Sequence, residues 1–296
     1  MSYHSIVLVK QVPDTANISG QVMKPDGTVN RGKLPAIFNP EDKVALELAL
    51  RFRDQYGGKV SVLTMGPPKA AETLRECLYM GADQAYLVTD RKFAGADTLA
   101  TSYVLAAAIK KIGNYDIIFG GRQAIDGDTA QVGPQTAEKL GLPQITYAEE
   151  VLGLEKNKIT IKRKIDGGHE ILECKLPLLV TVIGGAADVR PFQAKRVMAY
   201  KNTKSLMDLE KMVADNSLLY MEDLIDEHKD ANLLIETFTT DELDVDVERC
   251  GLAGSPTKVH KVESVVLSGG EHESIEASAA GLEHLMDQLA NDHIFG

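Results

Sequence analysis

The chain has 296 residues, 44% hydrophobic and 25% charged, with a formal net charge of −11. That length allows one large α/β domain with appendages or two modest ones, and no apolar run is long enough for a bilayer span. The acidic balance argues against nucleic acid as the main partner, and the three scattered cysteines, Cys77, Cys174 and Cys250, fit a reducing cytoplasm better than a disulfide or metal framework.

Met1 to Lys10 lacks the basic start and cleavage site of a signal peptide, so it reads as a first strand and the expected location is cytoplasmic. Ile6-Val-Leu-Val9 is a continuous apolar run, the mark of a strand buried on both faces. Asp14 to Lys33 is polar and reads as a loop or small hairpin. Asn39-Pro-Glu-Asp42 then opens a helix: Asn39 can cap it, Pro40 suits its first turn, and Glu41 and Asp42 complement its positive end. Val44, Ala45, Leu48, Ala49 and Phe52 form its apolar stripe, and Gly57-Gly58 stops it. Val60 to Thr64 is a second strand, a helix follows through Leu74 and Leu78, and Gln84 to Val88 is a third strand. A helix from about Asp97 to Gly113 precedes a strand at Asp116 to Gly120. Strand and helix alternating at this spacing predict right-handed crossovers and a Rossmann-like, doubly wound, mostly parallel sheet.

The pattern changes after Pro143. Lys158 to Ile165 and His169 to Lys175 alternate around Asp166-Gly167-Gly168, an antiparallel hairpin, and Leu178 to Val182 is again a buried strand. Beyond Gly184 the sequence predicts only weak helices until an amphipathic one at about Ile275 to Leu289. Ser205 to Glu248 holds fourteen Asp and Glu against two Lys, a local balance of −12. Before it, Arg190, Lys195, Arg196, Lys201 and Lys204 outweigh Asp188. The juxtaposition fits an extended arm, a surface that meets a partner, or solvated helix faces. The expected division is a nucleotide-binding α/β domain over residues 1–200 and a partner-contacting C-terminal arm over 201–296, with the acidic stretch as an insertion outside the nucleotide fold.

Doubly wound sheets bind ligands at the carboxyl ends of their strands, where strand order reverses. The informative strand end is Gly120 to Pro134, which joins a strand to a helix and carries four glycines. Glycines let backbone N–H groups close on a phosphate and permit positive φ, and a nest leading into a helix N-terminus binds anions without cationic side chains. Asp126 and Asp128 are poor neighbours for phosphate; they can cap the helix or accept hydrogen bonds from ribose or adenine. The loop is neither a GxGxxG fingerprint nor a P-loop. A glycine-rich turn without a ligand is the plain alternative, and residue chemistry alone stops at a nucleotide-binding α/β domain.

Several stretches together resemble the beta subunit of electron-transferring flavoproteins: Val9-Lys-Gln-Val-Pro-Asp14, Asn39-Pro-Glu-Asp42, Arg122-Gln-Ala-Ile-Asp126, Ile161-Lys-Arg-Lys-Ile-Asp-Gly-Gly-His-Glu170 and Leu176-Pro-Leu-Leu-Val-Thr181. Gly251-Leu-Ala-Gly-Ser-Pro-Thr-Lys258 resembles the family's tail, whereas Lys201 to Glu248 matches poorly. The resemblance implies adenine-nucleotide contacts at Leu8, at Asn39, Pro40, Glu41 and Asp42, and at Met65 and Gly66. It implies a phosphate nest from Gly121, Arg122, Gln123, Ala124, Ile125, Asp126 and Gly127 through Asp128, Thr129, Ala130, Gln131, Val132 and Gly133. Leu8 and Met65 serve equally as core, and Asn39 as a helix cap.

Beta subunits of one sort hold AMP; those of another hold a second FAD and bifurcate electrons. This chain resembles the FAD-holding sort, and small residues at Gly127, Ala130 and Gly133 leave room for a pyrophosphate. The resemblance implies a larger alpha subunit, NADH as donor, ferredoxin or flavodoxin as low-potential acceptor, and a partner flavin dehydrogenase, acyl-CoA dehydrogenase-like or other. Arg190 to Tyr200 aligns with the family's recognition loop for that dehydrogenase. It implies no catalytic acid or base, because the flavin carries the chemistry. The rivals are the AMP-holding single-electron carrier and an ATP-binding signalling module of the universal-stress type, which needs neither the hairpin nor the long tail.

Overall fold

The computed structural model describes residues 2–14, 35–216, 218–258, 274–292 and 294. The expected loop from Asp14 to Lys33 lies almost wholly outside them. Residues 1–260 form one compact unit and residues 261–296 a second.

The first unit opens with β1 (His4–Leu8), β2 (Gln11–Pro13), β3 (Ala36–Phe38), α1 (Pro40–Tyr56), β4 (Lys59–Met65), α2 (Ala71–Met80) and β5 (Gln84–Val88). It continues with α3 (Thr98–Ile112), β6 (Ile117–Gly121), α4 (Val132–Leu140), β7 (Gln144–Glu155), β8 (Lys158–Ile165), β9 (Gly168–Lys175) and β10 (Leu178–Val182). It closes with α5 (Ala194–Tyr200), β11 (Lys204–Ser205), α6 (Leu206–Asp215), α7 (Met221–Asp230), β12 (Leu234–Phe238) and α8 (Thr240–Leu243). The second unit contributes α9 (Ala279–Asn291).

Ten strands form one sheet in the order β11-β12-β5-β4-β1-β6-β10-β7-β8-β9. Every pair from β11 to β7 is parallel, and β7, β8 and β9 pair antiparallel, as the alternation around Asp166-Gly167-Gly168 predicted. The mostly parallel α/β sheet is thus the expected class. β1 alternates its side chains between two cores, as strand periodicity requires. Val7 and Val9 pack with α1 and α2 on one face, Ile6 and Leu8 with α3 and α4 on the other. The chain first builds outward from β1 through β4 to β5, then crosses to β6 on the other side, so strand order reverses at β1 and β6.

The expected boundary at residue 200 is corrected by β12. Leu234–Phe238 pairs in parallel with β5, Glu236 opposite Tyr86 and Phe238 opposite Val88, and β11 extends that edge. The acidic segment therefore belongs to the sheet. Ile235 and Phe238 are buried while most of the carboxylates lie on α6 and α7 outside it, and the carboxylates dominate the composition of the segment. Nor does any ion pair among the described residues join the basic run to the acidic one. Arg190 donates to Glu47 (2.8 Å) and Asp54 (3.0 Å) of α1, and Arg196 donates to the carbonyls of Leu78 and Ala82. Asp208 pairs instead with Arg75 of α2.

After α8 the chain returns to the head of α3. Asp97 caps α3 through the N–H groups of Leu99 and Ala100, accepts from the N–H of Thr257 (3.0 Å), and donates its own N–H to Ser255 (2.8 Å). No helix among the described residues is long and apolar enough to cross a membrane, and no group of three or more potential metal ligands occurs among them.

Candidate nucleotide site

The carboxyl ends of β1, β4 and β6 place Leu8, Met65 and Gly121 along one edge, with Leu8 opposite both Leu63 and Gly120. Leu8 is buried and Met65 packs partly against the same core. The Gly66 N–H is taken by the Val88 carbonyl (3.0 Å).

The loop from Gly121 is held by the head of α1. Asp42 accepts from the N–H groups of Gly121 and Lys10, both at 2.9 Å. Glu41 accepts from Gln123 N–H (3.0 Å) and from the Arg122 guanidinium (2.9 Å). Asn39 does not cap α1 through its side chain. Its amide instead donates to the Gln123 carbonyl (2.9 Å) and accepts from Ile125 N–H (3.2 Å). The Asn39-Pro-Glu-Asp42 signature is thus a clamp on a loop some eighty residues away as well as a helix start. Gly121 is required at this contact: a Cβ there would lie 2.5 Å from Asp42 Oδ1 and 2.8 Å from Asp42 N.

Asp42 is only 7% exposed. Burial pushes its carboxyl up to about 7, although Asn39 and the N–H groups of Gly121 and Lys10 pull it the other way. Arg122 is held above its ordinary value, first by its hydrogen bond to Glu41.

Beyond Ile125 the loop opens toward solvent. Gly127, Asp128, Thr129 and Gln131 are exposed, and Ala124 accepts from the N–H groups of Gly127 and Asp128. Positive φ was expected of the glycines, yet here Asp128 (φ 48°) and Ala130 (φ 53°) adopt it. The N–H groups of Thr129, Ala130, Gln131, Val132 and Gly133 have no partner among the described residues, and Gln131 offers α4 no side-chain cap. Such a run of free donors at the head of a helix suits a phosphate. The loop carboxylates are engaged elsewhere: Asp126 with Lys10 (2.8 Å) and Asp128 with the Gln123 side-chain amide (2.7 Å).

Two of the small residues have different roles. A Cβ on Gly127 would meet nothing within 4 Å, whereas one on Gly133 would lie 2.7 Å from Thr181 Cγ2. Gly133 is small so that α4 can approach β10; the open space lies at Gly127. Sequence reasoning also left out Lys10, Thr181 and Tyr147. Lys10 sat inside a quoted motif, but nothing local announces a salt bridge to Asp126.

The electron transfer flavoprotein domain model matches residues 26–205. The electron transfer flavoprotein subunit beta of Clostridium acetobutylicum is 42% identical over 291 residues, 97% of this chain and 98% of that protein. The chain belongs to the electron transfer flavoprotein family. Within the family it aligns along nearly its whole length with beta subunits, and its role is electron transfer of that type. Similar relatives include the acryloyl-CoA reductase electron transfer subunit gamma of Anaerotignum propionicum, 41% identical over 97% of this chain and 98% of that protein. Another is the caffeyl-CoA reductase-Etf complex subunit CarD of Acetobacterium woodii, 40% identical over 90% of this chain and 89% of that protein.

Proposed function

We propose that this chain holds FAD at the loop from Gly121 to Gly133 and works as the smaller subunit of a bifurcating electron transfer flavoprotein. The carrying observation is the run of free N–H groups from Thr129 to Gly133 beside open space at Gly127. Support also comes from relatives that serve acryloyl-CoA and caffeyl-CoA reductases. Bound there, FAD would supply two-electron acceptance from NADH and one-electron release, one electron to ferredoxin or flavodoxin and one through the alpha subunit's flavin to a partner dehydrogenase.

The chain's own residues bind and orient. Thr129 to Gly133 would hold the phosphates through their N–H groups and the head of α4. Leu8 and Met65 would offer apolar surface to adenine. Asn39, Glu41 and Asp42 act through the loop, fixing its backbone at three successive places. No side chain of the loop is needed as an acid or base. α9 leaves Leu282 and Met286 exposed, and these are proposed contacts for the alpha subunit, as Arg190 to Tyr200 is for the dehydrogenase.

Denaturing the purified heterodimer should release two FAD and no AMP; one FAD with one AMP would establish the non-bifurcating carrier instead. Gly127→Val should remove one FAD per heterodimer while leaving thermal unfolding of the nucleotide-stripped protein unchanged, because the new side chain enters open space rather than the protein.

A further inference from the structure

Tyr147 occupies a place where neither packing nor sheet pairing calls for an aromatic ring. In the parallel pairing of β7 with β10, Ile145 lies opposite Val180 and Ala148 opposite Val182, so Thr146 and Tyr147 share the single position of Thr181. This is a β-bulge, a device that re-aims a side chain. Ile145 and Ala148 are core residues; Tyr147 joins neither core cluster and stays 38% exposed. Its φ is +58°, a conformation bulky residues seldom adopt. Glycine would take that backbone with less strain, so the bulge by itself does not account for the ring.

The surroundings tie the ring to the nucleotide site. Tyr147 donates its N–H to Thr181 Oγ1 (3.3 Å), and Thr181 Cγ2 is the atom on which the first turn of α4 closes at Gly133. The Arg122 guanidinium lies over the Tyr147 ring, 5.9 Å from its centroid, and is itself held by Glu41 at 2.9 Å. Through Thr181 and Arg122 the bulge at Tyr147 adjoins both the head of α4 and the start of the loop, while Leu8 and Met65 lie across the sheet on β1 and β4.

We propose that Tyr147 is a specificity-determining residue of this site, whose ring receives the flavin half of a bound dinucleotide and so selects FAD over AMP. The inference rests on the FAD reading above. AMP ends at its phosphate and stops at the loop, whereas a dinucleotide must lay its second half along the sheet edge. There, an aromatic face backed by a guanidinium offers a flat surface to a conjugated ring.

The test uses the heterodimer with its alpha subunit, stripped of nucleotide at this site and titrated separately with FAD and with AMP. Wild type, Tyr147→Phe and Tyr147→Asn are compared; asparagine tolerates the left-handed backbone and so removes the ring without unsettling the bulge. Tyr147→Asn should weaken FAD roughly tenfold, the scale of one aromatic contact, leave AMP unchanged, and be rescued by Tyr147→Phe. Equal weakening of both nucleotides, or of neither, overturns the inference while a wild type that binds FAD keeps the FAD reading. A wild type that takes up AMP and no FAD overturns both.

Discussion

The middle and one edge of the parallel sheet are built on opposite terms. At β1 and β6, in the middle, side chains from one helix hold the backbone of a distant loop: Asp42 at Gly121, Glu41 at Gln123, Asn39 at Ile125. At the β12–β11 edge, the backbone joins the sheet and the side chains turn outward. Glu210, Glu222, Asp226 and Glu227 on α6 and α7 are exposed and have no ion-pair partner among the described residues, and only Asp208 of these helices is paired, with Arg75. A charged residue therefore means different things in the two regions. Near β6 it is a structural part whose partner is the main chain; near β12 it decorates a strand whose contribution is apolar.

The strongest way to break this comparison is to remove the acidic segment. Ending the chain at residue 200 strips β12 and leaves β5, four of whose five residues are buried, as an open edge. Loss of a cooperative urea transition, or of soluble protein, is expected; a truncated chain that unfolded cooperatively and bound nucleotide would restore the boundary at 200. Next comes Asp42→Asn. The amide cannot accept from both Gly121 and Lys10, so one buried N–H loses its partner at a cost of about 1–3 kcal/mol. The urea midpoint should fall accordingly, and nucleotide affinity with it.

A subtler test is pH. Burial raises Asp42 to about 7, so the folded chain holds this proton where the unfolded chain has released it. Its contribution is therefore full below about pH 4, the ordinary carboxylate value, and declines as pH rises to about 7. The stability difference between wild type and Asp42→Asn should shrink across that window; a constant difference would mean Asp42 is ionised throughout. The smallest effect belongs to the β12–β11 edge. Glu210→Gln with Glu227→Gln should change stability by no more than about 0.5 kcal/mol, since both side chains are exposed and unpaired among the described residues.

The same contrast explains what could be read from the sequence. The parallel sheet was legible because β1, β4, β5, β6 and β10 are short apolar runs set between helices, and the hairpin because polar and apolar residues alternate about two glycines. β12 was missed because a five-residue strand was outvoted by fourteen carboxylates around it. β7 was missed because two register shifts against β8 spoil its alternation. At the site, the glycine-rich loop and the helix start were visible separately. Their union was not, since hydrogen bonds between residues eighty positions apart leave no local pattern, and glycine content gave no sign that Asp128 and Ala130 would be the left-handed residues.

The pairing of β12 with β5 also has a consequence in time. A ribosome adding roughly 5–20 residues per second completes β5 at Val88 but does not deliver Phe238, its partner's last residue, until about 150 residues later. For roughly 8 to 30 seconds the nascent chain carries a mostly apolar strand with one edge unpaired, the kind of surface that recruits other chains. Synthesis therefore has a vulnerable interval that the finished protein does not show, and its length is set by where β12 lies in the gene.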